Sequence, residues 1–236
     1  MDVVREVWQR MYAVQPAPAS WVVAATAVVA VVLVLAPGAW PLSRHVVTIA
    51  HEGGHGLVAA CTGRRLTGIR LHSDTSGLTV SRGRPSGLGM VLTLAAGYTA
   101  PGLFGLGAAW LLGGGHAVGL LWILLVLLAL LLVQIRNWFG LWSVLLTGAV
   151  VFAVSWWLPT RGQSAFAYLV TWFLLLAAPR PVLELQGLRR RSRSRDSDAD
   201  QLGRLTGLPG VVWVGAFLAV TVGSLVVGAG WILGRP

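Results

Sequence analysis

Two histidines four residues apart, with a glutamate beside the first, stand at His51-Glu52-Gly53-Gly54-His55. On an α-helix, residues four apart project from one face, so both imidazoles can grip a single zinc ion (Zn2+). Glu52 is placed to take a proton from a water that the metal has made acidic. This H-E-x-x-H arrangement activates water for cutting a peptide bond. The segment around it is apolar enough to enter a bilayer, so the chemistry would run in or near a membrane. The acidic residues are Asp2, Glu6, Glu52, Asp74, Glu184, Asp196, Asp198 and Asp200. Only Glu52 falls well inside an apolar segment, where an ionisable group is costly and by default marks function. The plainer alternative is a pair of histidines satisfied by the backbone or by each other.

Catalytic zinc takes three protein ligands and leaves one position for water. Downstream of the motif helix and the hairpin that follows it, the acids are Glu184, Asp196, Asp198 and Asp200, and the one later histidine is His116. Ser197 can cap a short helix with Asp198 in its first turn, ending at Gly207 before Leu208-Pro209. On that helix Asp198 shares a face with Leu202 and Leu205, whereas Asp200 lies about two hundred degrees around it. Asp198 is therefore the preferred third ligand, with Asp200 second and Asp196 still open. The same acids could instead balance Arg189 to Arg195 in a solvated loop. Asn137, within Gln134-Ile135-Arg136-Asn137-Trp138-Phe139-Gly140, could donate to the oxyanion of a tetrahedral intermediate. It could equally cap the helix after it. His72 could be recruited as a ligand, but a solvated role suits it better.

These residues must be held by elements that composition restricts sharply. Of 236 residues, 56% are hydrophobic and 11% charged, against about 25% charged in soluble domains. Long apolar runs recur from end to end, so the expected fold class is an all-α polytopic membrane protein of about seven transmembrane helices, with a small β-hairpin after the second. The expected spans are about 21–36, 44–62, 87–112, 116–135, 138–158, 164–178 and 209–233, within one domain over 1–236. The first run is long enough to stay as a span, so no cleavable leader is expected. Pro101-Gly102 marks a kink or break in the third span. The alternation in 66–82, broken by a turn at 74–77, reads as the hairpin, and its edge could pair with an extended substrate strand. Residues 179–208 read as an Arg-rich polar loop. Cys61 is the one cysteine, so no internal disulfide can form.

All eighteen basic residues are arginine, and the net charge is +10. They cluster in short loops between apolar runs, which is how a membrane protein sets its orientation, and nucleic acid is not an expected partner. With seven spans and a cytoplasmic N-terminus, fifteen arginines fall on the cytoplasmic side and Arg44, Arg161 and Arg235 on the other. The motif helix descends to the side that carries 179–208, which puts the site toward the cytoplasm and His116 on the far side.

On these residues the chain resembles the site-2 protease family of intramembrane zinc metalloproteases, in its compact bacterial branch. The H-E-x-x-H of an early span carries the resemblance, with an acid donated much later. The hairpin looks like the family's membrane-associated β-ribbon. Ser197-Asp198-Ala199-Asp200-Gln201-Leu202 and Arg136-Asn137-Trp138-Phe139-Gly140 are similar to its late and mid-chain motifs. The better-known branch has Asp-Gly at the late motif, and no Asp here is followed by Gly. The resemblance implies His51, His55 and a late Asp as ligands of one zinc ion, Glu52 as base, and hydrolysis of a membrane-tethered protein, often a transcription regulator, in a bacterial cytoplasmic membrane. The competing classes are a divalent-metal transporter or storage protein, and an inactive membrane scaffold.

Overall fold

The computed structural model describes residues 5, 8, 9, 11–191 and 196–234. Asp2, Glu6, Arg10, Arg193, Arg195 and Arg235 lie outside them. Helix α1 (Ser20–Leu35) stops before Pro37-Gly38. Helix α2 (Trp40–Cys61) starts with Pro41 in its first turn, where a missing N–H leaves no bond unmade. The two axes meet at 99°. Four side chains lock this elbow. Glu184 accepts from Trp40 Nε1 at 3.0 Å and from Arg180 Nε at 3.1 Å, and pairs with Arg44 at 3.2 Å. The Arg180 guanidinium also lies over the Trp40 ring and donates to the Val34 carbonyl at the end of α1. Helix α2 ends at Gly63, whose φ of 73° is the left-handed value that lets the chain turn back.

Strands β1 (Arg65–Leu71) and β2 (Gly77–Arg82) pair antiparallel, with Arg65 opposite Arg82 and Leu71 opposite Gly77. This is the hairpin expected over 66–82. Along β2 the half-buried residues are Gly77, Thr79 and Ser81, while Leu78, Val80 and Arg82 are exposed. The two-residue period thus turns only small side chains inward. The outer edge of β1 is closed by the chain near residue 136. Ile135 bridges Ile69 in parallel, and Arg136 N donates to the Ile69 carbonyl at 2.9 Å.

Helix α3 (Leu88–Gly113) runs through Pro101 as one element, so the expected break is absent. Pro101 has no N–H to give the Gly97 carbonyl four residues earlier. Helices α4 (Ala117–Gln134), α5 (Trp138–Trp157) and α6 (Thr160–Ala177) follow, then α7 (Pro179–Arg191), α8 (Asp198–Thr206) and α9 (Gly210–Leu233). The expected loop 179–208 is therefore largely helical, because α7 continues α6 into a 32-residue apolar-to-basic rod.

Among the described residues, five helices are long and apolar enough to cross a membrane, namely α3, α4, α5, α9 and the α6–α7 rod. The α1–α2 pair makes a sixth if it is one broken span. The sequence led to seven by counting α1 and α2 separately. Helix α1 has 16 residues, short of the roughly 20 that cross a hydrocarbon core, and it packs against α6 rather than pairing with α2 as a second crossing. The expected place of the N-terminal segment also changes. Gln15 N donates to Gly115 O at 2.8 Å, and Val118 N donates to Gln15 Oε1 at 3.1 Å. These lie at the C-terminal end of α3, whereas the hairpin adjoins its N-terminal end. Over 26 residues those ends are about 39 Å apart. Residues 11–15 thus sit at the end of the bundle opposite the hairpin.

The main core joins α1, α3, α4 and α6 around Ala109, Leu121, Tyr168 and Leu175. A second cluster joins α3, α7, α8 and α9 through Leu94, Val182, Leu185, Ala199, Leu202 and Phe217. Small residues bring the helices close: a Cβ on Gly54 of α2 would collide with Ala100 and the Ala96 backbone of α3. Large apolar side chains on the outside, such as Val133, Leu146 and Val226, are 65–68% exposed and form a surface suited to lipid.

Candidate metal centre

Midway along α2, one helical turn brings the His51 and His55 Nε2 atoms to 3.1 Å of each other. Asp198 Oδ2, from the first turn of α8, lies 3.4 Å from His51 Nε2 and 3.3 Å from His55 Nε2. Three ligand atoms thus form a nearly equilateral triangle. A tetrahedral ion with bonds of about 2.05 Å needs ligand atoms about 3.3 Å apart. Two imidazoles and one carboxylate at that spacing fit a divalent cation, and they form the group of metal-capable residues found among the described ones. His55 is further fixed by a 2.7 Å hydrogen bond between Nδ1 and the Thr93 carbonyl. A metal-bound His55 would donate Nδ1–H there and turn Nε2 to the ion. The Tyr98 ring meets the His51 ring edge-on at 4.7 Å and stacks on Phe217 of α9.

Glycine makes this approach possible. A Cβ on Gly97 would overlap His55 Nε2 and lie 2.7 Å from His51 Cε1. The imidazoles rest on the bare backbone of α3.

Helix α8 is held so that its acid faces the histidines. Ala199 and Leu202 are fully buried in the second core cluster. Ser197 caps the helix, accepting from Asp200 N at 3.3 Å and donating to Asp200 Oδ2 at 2.5 Å. Asp200 Oδ1 pairs with Arg189 of α7 at 2.8 Å. Asp200 is therefore occupied by the cap and an arginine, Asp196 is exposed beside it, and Asp198 is the acid placed against the imidazoles. Burial by itself would push the Asp198 carboxyl up; the hydrogen bonds and charge of His51 and His55 outweigh it and hold the group well below the usual carboxylate range.

Glu52 is buried, 4% exposed, and its carboxylate points toward β2. Its Oε2 accepts from the Thr79 hydroxyl at 2.6 Å. It shares with His51, His55 and Asp198 a cavity of about 430 Å³ between α2, β2, α3 and α8, with Arg44 and Gln201 also on its wall.

Asn137 lies elsewhere. It starts α5 without a side-chain cap bond, and both its polar atoms are taken by β1: Oδ1 accepts from Leu71 N at 3.2 Å and Nδ2 donates to Leu71 O at 2.6 Å. Its amide continues the closure of the β1 edge and is not on the cavity wall, so the geometry favours neither of the roles expected for it. His72 is an exposed turn residue beside Ser76, and His116 stands at the start of α4, at the end opposite the hairpin. Sequence reasoning missed Thr79, Thr93, Gly97 and Tyr98. The alternation of small residues in β2 was a visible signal for Thr79. No signal marked the others, since their roles exist only where α3 crosses α2.

A protein-family model described as Peptidase M50B-like matches residues 24–228. No curated protein and no solved structure matches the chain.

Proposed function

The chain belongs to the M50B-like peptidases, the site-2 protease family, and on that premise we propose that it is a zinc-dependent intramembrane endopeptidase. Its substrate on this reading is a membrane-tethered protein, cut in or near a transmembrane segment. The observation that carries the proposal is the triangle of His51, His55 and Asp198 with Glu52 on the same cavity wall. His51, His55 and Asp198 would hold the ion, and zinc, when bound, supplies Lewis acidity to the water and to the scissile carbonyl. Glu52 takes the proton from the attacking water and returns it to the leaving amine. Tyr98 and the Thr93 carbonyl hold the two imidazoles in place.

The substrate must be extended where it is cut, because a helix encloses its own backbone. The edge of β1 is occupied by residues 135–137, so β2 offers the hairpin edge for strand addition beside the cavity. Asn137 then acts by fixing the ribbon, not by touching substrate.

We read the bent α1–α2 pair as one crossing, which gives six in all. Among the described residues, the arginines from Arg64 to Arg136 and from Arg180 to Arg204 lie at the hairpin end, and Arg161 at the other. This bias supports a reading in which the hairpin and the cavity face the cytoplasm of a bacterial cell and residues 11–15 lie on the opposite side. A transporter is less well supported. The buried hydroxyls of Ser155, Thr171 and Thr221 bond to their own helix backbones and do not line a polar path.

The test is purification in detergent, zinc counting by mass spectrometry, and cleavage of single-span peptides carrying a donor–quencher pair in proteoliposomes. Wild type binds one zinc and cleaves. Glu52→Gln keeps the zinc and loses at least about a hundredfold in rate. Zinc-loaded wild type that cleaves no peptide of the panel, or Glu52→Gln that cleaves as wild type does, refutes the proposal.

A further inference from the structure

The strand beside the cavity does more than present an edge. Its inner face is shaped to the catalytic glutamate. Gly77 stands against the Glu52 carboxylate so closely that a Cβ there would lie 2.6 Å from Cδ. Two residues on, the Thr79 hydroxyl reaches Glu52 twice, 2.6 Å from Oε2 and 3.1 Å from the backbone carbonyl. An ionised carboxylate only accepts, so the threonine must donate. Threonine is also stiff about χ1, and in a strand its hydroxyl is set by the backbone. One carboxylate oxygen is thereby fixed by a donor. The other, Oε1, packs directly against Gly77, where any side chain would overlap it.

We propose that Thr79, seated by Gly77, is a positioning residue for Glu52. Together they fix the orientation of the carboxylate that exchanges protons with water and leaving amine. The inference rests on the peptidase reading and deepens it. Its consequence is a coupling: β2 carries the base-orienting hydroxyl on its inner face and the open pairing edge along its side. A peptide strand added to that edge is set in register with the carboxylate that serves it, and a poorly paired strand leaves the base less well aligned. The neighbouring threonine hydroxyls are engaged elsewhere. The Thr48 hydroxyl bonds Thr75 O at 2.9 Å, and Thr93 bonds Gly89 O at 2.7 Å.

The experiment uses the full chain in proteoliposomes with the same single-span peptides, measuring kcat and KM separately together with zinc content. Thr79→Val keeps the shape and removes the donor. The expected result is a kcat about tenfold to a hundredfold lower, the scale of a misplaced catalytic group, with KM within about twofold and zinc unchanged. Thr79→Ser restores most of the rate, because it restores the hydroxyl. Gly77→Ala displaces the carboxylate and lowers kcat with zinc retained. Thr79→Val turning over at the wild-type kcat overturns the positioning role and leaves the peptidase reading standing. Thr79→Ser as impaired as Thr79→Val, or an effect confined to KM, also overturns it, since packing alone would then explain the residue. Zinc-loaded wild type without cleavage sinks the peptidase reading first, and this inference with it.

Discussion

Replacing Gly97 by alanine tests the site at its tightest point. The added methyl would occupy the space of His55 Nε2 and touch the His51 ring. Retreat of α3 would open the close seat of Gly54 of α2 on Ala96 and Ala100 one turn away. The imidazoles must turn instead, and the 3.1 Å separation of their Nε2 atoms cannot survive. Disturbing groups that merely orient metal ligands weakens metal binding by about 10–100-fold. Displacing two of three ligands directly should reach or exceed the upper figure, about 2.7 kcal/mol or more of binding free energy. Folding should suffer less. Alanine in place of a mid-helix glycine gains up to about 1 kcal/mol, and overpacking costs about 1–3 kcal/mol. The variant should therefore remain folded, with a metal-free melting point close to that of metal-free wild type, and lose the melting-point rise that zinc gives wild type. Competition against a fluorescent zinc chelator reads the affinity, and tryptophan fluorescence reads the melt. Zinc bound by Gly97→Ala within threefold of wild type would refute the account of the centre.

Three further changes separate the residues around it. Asp198→Ala should abolish stoichiometric zinc, whereas Asp200→Asn, which loosens α8 from Arg189 without removing a ligand, should weaken zinc by about tenfold; the reverse order in the chelator titration would move the third ligand to Asp200. Asn137→Ala leaves Leu71 N and O without partners and should lower stability by about 1–3 kcal/mol while keeping zinc, with KM raised more than kcat is lowered. A loss confined to kcat would return Asn137 to the oxyanion.

The local part of the site could be read from the chain because its spacing is helical and nothing else decides it. The spacing of four from His51 to His55 fixes a shared face wherever the helix lies. The same reasoning placed Asp198 and Asp200 on different faces of a capped turn. The capping serine, the Gly207 terminus with φ 75° and the buried Leu202 are all found in α8. The contact that Asn137 makes was hidden because its partner is a backbone, that of Leu71, 66 residues earlier. A backbone acceptor has no signature in the sequence. Thr93 and Gly97 were invisible for the same reason, since a carbonyl and a missing methyl become functional only by what crosses them.

Topology was misread for a different reason, one that bears on how the site works. Hydropathy counts apolar runs, and α1 and α2 are separate runs divided by Pro37-Gly38. What joins them into one path is polar: Glu184 on α7 binds Trp40 and Arg44 at the start of α2, while Arg180 reaches the last turn of α1. The same α7 holds Asp200 through Arg189 further along. One helix, expected to be a loop, therefore ties the elbow that aims His51 and His55 to the short helix that delivers Asp198. The histidines and Asp198 are more than 140 residues apart in the chain, and α7 is the piece that links their two elements. A site assembled this way depends on a helix that contributes none of the three metal-capable side chains, which is why the Arg189–Asp200 pair is open to a charge-balance reading from sequence when it aligns α8.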